Sequence, residues 1–167
     1  MNIEVMNVDD YDEVMALWKS DEGIGLAIGD EREGIARYLQ RNPATSFVAR
    51  LDGQIIGTIL CEHDGRRAYI YHFFVQTEHR GKGVGKQLLQ HSLQALGEQG
   101  IPRCLLTVLK ENQTGNQFWQ AQKWLELDFI NTYSYTLIEN NNGHIEPAAT
   151  QRLSLSPAQI SRCIMEA

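Results

Sequence analysis

The chain has 167 residues and a formal net charge of −6. That length suits one domain with a buried core, and the acidic balance argues against a nucleic-acid binder working through a broad basic face. Cys61, Cys104 and Cys163 are far apart and form no Cys-x-x-Cys, so neither a disulfide framework nor a metal site is indicated, and reduced thiols fit a cytoplasmic setting. The start, Met1-Asn2-Ile3-Glu4-Val5, has neither a basic leader nor an apolar core, and no apolar run reaches membrane-spanning length.

Ile3, Val5 and Val8 alternate with polar residues and predict a first strand. Asp9 or Asp10 is placed to cap a helix through Val14, Leu17 and Trp18. Residues 23–29 read as a loop, and 31–41 as a second helix with Ile35, Tyr38 and Leu39 on one side, ended by Asn42-Pro43. Residues 46–51 and 54–62 read as two strands joined by Asp52-Gly53, a pair that favours a tight hairpin. Asp64-Gly65 opens a second turn into a strand ending at Val75. Val84, Leu88, Ser92 and Leu96 recur at steps of four, with Leu89 and Leu93 beside them, so a third helix packs an amphipathic stripe on a sheet. Gly97 and Gly100 close it. Residues 105–109 read as a buried strand, 112–122 as a fourth helix, and 131–138 as a last strand. Beyond Asn140-Asn141-Asn142-Gly143 the pattern is lost, although Ser156-Pro157 is suited to a helix start.

One segment stands apart. Arg80-Gly81-Lys82-Gly83-Val84-Gly85-Lys86 lies between the apolar strand 69–75 and the third helix. The first N–H groups of a helix lack intrahelical partners. Glycines let a phosphate approach them, the helix dipole favours its charge, and Arg80 and Lys82 add positive charge there. Register excludes two phosphate loops. In G-x-G-x-x-G the third glycine would fall on Lys86, and in G-x-x-x-x-G-K-[ST] positions 80 and 87 are Arg and Gln.

Arg80-x-x-Gly83-x-Gly85 resembles the pyrophosphate loop of the GCN5-related N-acetyltransferases (GNAT), and an Asn-led segment, Asn112-x-x-Gly115-x-x-Phe118-Trp119, follows in the family's order. The likeness covers roughly residues 3–137. It implies an α/β domain over 1–138, with a central, mixed but mostly antiparallel sheet of six to seven strands, helices on both faces, and a V-shaped opening between the fourth and fifth strands. Residues 139–167 are then an extension of unassigned role. It also implies an enzyme that transfers acetyl from acetyl-CoA directly to a primary amine of a small molecule or protein, with no metal. No nucleic-acid or membrane partner is expected, and a homodimer is left open.

By the same resemblance, acetyl-CoA would contact Phe73, Phe74, Val75, Arg80, Gly81, Lys82, Gly83, Val84, Gly85, Lys86, Asn112, Gly115, Phe118 and Trp119, and Val75 would offer its N–H to the thioester carbonyl. A preorganised amide suits that task because it needs no reorganisation. The amine must also lose a proton. The family often carries a Glu on the strand before the loop, and none stands there. By two-residue alternation Tyr69 and Tyr71 share a face with Phe73 and Val75, which makes the tyrosines candidates to position a water or substrate. Glu62 and His63 are further candidates, while His72 is expected to face away. Trp119 occupies the position where many members carry a Tyr acid; an indole N–H donates a hydrogen bond but is no useful proton donor. Water, Tyr133 or Tyr135 are the substitutes, or the thiol leaves as thiolate. Asn112 fits equally a cofactor contact and a helix N-cap. Because both family groups are missing, the rival reading is a catalytically silent acyl-CoA sensor.

Overall fold

A computed structural model describes residues 1–20, 24–133 and 135. The chain divides into two compact units, Met1–Thr107 and Val108–Ala167.

In the first unit the elements run β1 (Asn2–Val5), α1 (Tyr11–Lys19), α2 (Arg32–Arg41), β2 (Phe47–Leu51), β3 (Gln54–His63), β4 (Ala68–Val75), α3 (Val84–Glu98) and β5 (Cys104–Leu105). The sheet order is β1-β2-β3-β4-β5. The pairs from β1 to β4 are antiparallel, and β4–β5 is parallel. The mixed, mostly antiparallel sheet is therefore as expected, but it has five strands among the described residues rather than six to seven. The last two expected strands are the ones that differ. The strand expected over 105–109 pairs only at Cys104 and Leu105. Of the strand expected over 131–138, residues 131–133 and 135 carry no strand, and the others lie outside the described residues, as do 139–167.

Local chemistry explains the elements. Val8 leaves the first strand for a 3₁₀ turn, Val8–Asp10, because Asn7 and Asp10 form a capping box there. Asn7 Oδ1 accepts Asp9 N, and Asp10 Oδ2 accepts Asn7 N. Asp10 thus precedes α1 without capping it through its side chain. Asp52 and Gly53 both have positive φ, 49° and 83°, the signature of a two-residue hairpin turn that matches strand twist. α3 ends at Gly100, φ 75°, where Gly100 N donates to Gly97 O and Ile101 N to Leu96 O. Those two bonds satisfy the last carbonyls in a Schellman arrangement, so Gly97 is part of the helix.

Helices cover both faces. Trp18 of α1 donates its indole N–H to Thr58 Oγ1 (2.9 Å), whereas Leu88 of α3 lies beside Gly57, where a Cβ would come within 3.2 Å of it. Residues 57 and 58 point to opposite faces of a strand, so α1 and α3 do as well. Val14, Leu17 and Trp18 bury the face of α1, and burying Val14 and Leu17 contributes about 1.5–3 kcal/mol each. Val84, Leu88, Leu89, Ser92 and Leu96 bury that of α3. Leu93 is at its exposed edge. Ser92 belongs in this apolar stripe because its Oγ donates to Thr45 O (2.9 Å).

The second unit contains α4 (Gln113–Ala121).

Candidate functional site

The fourth strand changes phase halfway along. On β3 only Ile59 lies between Thr58 and Leu60, yet their partners Phe74 and Tyr71 are separated by two residues, His72 and Phe73. This is a β-bulge, one extra residue that bends the strand and resets its alternation. Directly paired residues share a face. Leu60 and Thr58 are two apart, so Tyr71 and Phe74 point the same way. Both belong with the core beneath α1 and α2. The expected set of Tyr69, Tyr71, Phe73 and Val75 on one face is therefore corrected: Phe74 keeps company with Tyr71, and Val75 faces α3, near Leu88. His72 also lies on the α1 side, against Trp18, rather than away from Tyr71. Alternation alone cannot register an inserted residue.

Beyond the bulge β4 continues past its pairing with β5: among the described residues that pairing ends at Tyr69–Leu105, six residues before Val75. Gln76 N donates to Ile56 O (2.9 Å), a ladder hydrogen bond. The neighbouring pair Val75–Gly57 is then the kind whose N–H and C=O turn away from the partner strand. The Val75 amide accordingly points to the edge away from β3. The same geometry exposes Val75 O to Arg80, whose Nε donates to it at 2.8 Å. Arg80 also places its guanidinium carbon 5.4 Å from the Phe74 ring centroid. Arg80 is thus the strut that fixes the glycine loop to the end of β4.

The loop itself is shaped for an anion. Gly81 and Gly83 have φ 72° and 84°, a left-handed conformation that glycine adopts at least cost. A Cβ at either would meet nothing within 4 Å, so the space above them is open. Gly83 is the N-cap of α3 without a side-chain cap, and the first helical bond is Gln87 N to Gly83 O (3.1 Å). The N–H groups of Val84, Gly85 and Lys86 therefore have no intrahelical carbonyl. Lys82 and Lys86 are exposed beside them. This donor set fits a diphosphate.

Glu62, Tyr69 and Tyr71 come together further down the strand. Glu62 pairs with Tyr69, and the rings of Tyr69 and Tyr71 stack at 4.8 Å between centroids. Burial pushes the Tyr71 phenol well above its ordinary value, and the Glu62 carboxylate adds to the rise. Burial raises Tyr69 too, against a hydrogen bond with Thr107. Both phenols stay protonated at neutral pH and so can donate hydrogen bonds. Tyr71 lies four residues, about 13 Å of strand, from Val75. His63 is engaged elsewhere: Nε2 faces Gln99 Oε1 at 2.9 Å, and Nδ1 accepts Gly65 N at 3.2 Å.

Sequence reasoning missed a cleft of about 510 Å³ lined by Ser20, Phe74, Gln76, Thr77 and Glu78. It brings the end of α1 to the end of β4, a proximity that no local pattern encodes. It also missed the pairing of His72 with Asp30, 42 positions apart.

In the second unit Asn112 is the N-cap of α4, its Oδ1 accepting Gly115 N at 2.9 Å. A Cβ at Gly115 would lie 2.8 Å from Asn112 Nδ2, so glycine gives the cap its room. Trp119 is buried and edge-on to both Phe118 and Trp124, at 5.1 and 4.9 Å. Tyr133 is 84% exposed and Tyr135 54%.

Comparison with known proteins gives one answer. The model of the acetyltransferase (GNAT) family matches residues 11–124. A curated acetyltransferase of Photorhabdus laumondii is 32% identical over 67% of this chain and 78% of its own length. One from Sodalis glossinidius is 27% identical over 84% and 98%. Among solved structures, the complex of AAC(6')-Iy with the bisubstrate analogue CoA-S-monomethyl-acetylneamine superposes with a TM-score of 0.66 at 22% identity, covering 81% of this chain and 97% of that one. Ard1 from Thermoplasma volcanium gives 0.66 at 20%, covering 74% and 82%. At these identities the structures speak for the fold.

Proposed function

Since the chain belongs to the acetyltransferase (GNAT) family, we propose that it moves an acetyl group from acetyl-CoA directly to a primary amine, of a small molecule or a protein, within a ternary complex. The observation that carries this reading is the pairing of the end of β4 that runs past β5, with the Val75 amide turned from β3, and a glycine loop strutted to the same strand end by Arg80. Acetyl-CoA would supply an activated acyl carbon.

Gly81, Lys82, Gly83, Val84, Gly85 and Lys86 would hold its diphosphate through main-chain N–H groups and the two lysines. Phe73 and Phe74 would flank the pantetheine, joined by Asn112, Gly115, Phe118 and Trp119 as the family resemblance implies. The Val75 N–H would stabilise negative charge growing on the carbonyl oxygen. Glu62, oriented by Tyr71 and Tyr69, would take the ammonium proton through water across the intervening strand. The amine lone pair then forms the C–N bond as the C–S bond breaks; sulfur departs as thiolate, and the second proton on nitrogen passes to solvent. We take the catalytic domain as residues 1–138, in a cytoplasmic protein that needs no metal, nucleic acid or membrane; a homodimer is compatible with this.

One observation favours a second reading, a silent acyl-CoA sensor: Trp119 stands where the family commonly has a tyrosine acid. Free-thiol release across a panel of amines separates the two. Turnover on any amine supports the enzyme. Tight acetyl-CoA binding with no thiol released on all of them supports the sensor.

A further inference from the structure

The bulge in β4 turns on one residue in a conformation that side chains disfavour. His72 has φ 42°, in the left-handed region that non-glycine residues enter uncommonly, His more often than most. Its surroundings hold it there. Nε2 lies 2.8 Å from Asp30 Oδ1. The ring stands edge-on to Trp18 at 4.2 Å between centroids. The carbonyl accepts Thr58 Oγ1–H at 2.9 Å, and the same oxygen of Thr58 accepts the Trp18 indole N–H. His72 is 7% exposed, and its Nδ1 is buried with no hydrogen-bond partner. Nε2 is the donor in this contact, because an ionised carboxylate only accepts.

Asp30 is in turn the anchor of the connection between α1 and α2. Its Oδ2 accepts Ala27 N (2.8 Å), its N donates to Ala27 O (3.2 Å), and its carbonyl accepts the Tyr11 hydroxyl (3.1 Å). One side chain thus joins that connection to the point where β4 changes phase.

The phase decides where Val75 points. If the extra residue were absorbed, Phe74 and Val75 would exchange faces, and the Val75 amide would turn toward β3. We infer that His72 is a positioning residue for acyl transfer: its Nε2–H contact with Asp30 locks the bulge in the phase that aims the Val75 amide outward, and makes that aim depend on the α1–α2 connection. The inference rests on the acetyl-contacting role given to Val75 above.

The test uses the full chain with [1-¹³C]acetyl-CoA, reading both Kd and the carbonyl ¹³C shift of the bound form. An aimed amide polarises the carbonyl and moves its resonance downfield. His72→Gly tolerates the positive φ but removes the ring, and Asp30→Ala removes the acceptor. Both are expected to lose most of the downfield shift and to bind acetyl-CoA more weakly, since the same change of phase withdraws Val75 O from Arg80. His72→Gln, whose amide can donate from nearly the same place, restores the shift. Should the His72→Gly protein fail to fold, Asp30→Ala decides. Variants that keep the wild-type shift overturn the inference alone. A wild-type complex whose carbonyl stays at its solution value overturns the role of Val75, and the inference with it.

Discussion

Gly83→Asp separates a diphosphate cradle from an ordinary glycine turn. Gly83 has φ 84° and open space where its Cβ would project, so a side chain there strains the backbone without striking the fold. That strain is present with and without ligand and cancels from the affinity. The added carboxylate does not cancel. It stands about 5 Å from the proposed phosphates, and at an effective dielectric of roughly 40–80 each pair of unit charges costs about 0.8–1.7 kcal/mol. Two phosphate charges give about 2–3 kcal/mol, or roughly 30- to 150-fold in Kd. Gly83→Asn is the control, equal in size, neutral and tolerant of the left-handed region. Titration calorimetry with CoA should show the Asp variant weaker than the Asn variant by that factor, with the gap narrowing at high salt. Equal affinities in two folded variants would refute the reasoning.

Other consequences are open to measurement. Glu62→Gln removes the proton acceptor and should lower kcat by about 10²- to 10⁴-fold with the KM for acetyl-CoA unchanged; full activity would exclude Glu62 as the base. Because burial raises the Tyr71 phenol above its unfolded value of 10, its contribution to stability is present below pH 10 and is lost as the pH rises beyond it. Urea melts of Tyr71→Phe should accordingly show a shallower alkaline decline than wild type, and identical slopes would contradict this. Asn112→Ala deletes the cap of α4 and should cost about 1 kcal/mol, read from denaturant midpoints; no change would mean that the cap is not stabilising.

Much of the architecture was legible because local chemistry specifies it. Asp52-Gly53 demanded a tight turn, the four-residue spacing of Val84, Leu88, Ser92 and Leu96 demanded a buried helix stripe, and the glycines before Val84 marked the junction of strand and helix. What escaped was non-local. The bulge exists only as a mismatch between β3 and β4, and His72-Phe73 reads as unbroken strand. The pairing of His72 with Asp30 crosses 42 positions, and Arg80, read as a phosphate ligand, proves also to brace Val75 O. The fifth strand was overextended because 105–109 is apolar enough for a strand, whereas pairing ends at Tyr69–Leu105.

The central claim is that the amides of the loop before α3 grip the coenzyme's diphosphate. A ¹H–¹⁵N titration of the full chain tests it directly, with CoA in one series and pantetheine in the other. The account predicts large shifts at Gly83, Val84, Gly85 and Lys86 with CoA and little change there with pantetheine. Saturating CoA that leaves those four amides unmoved would contradict it.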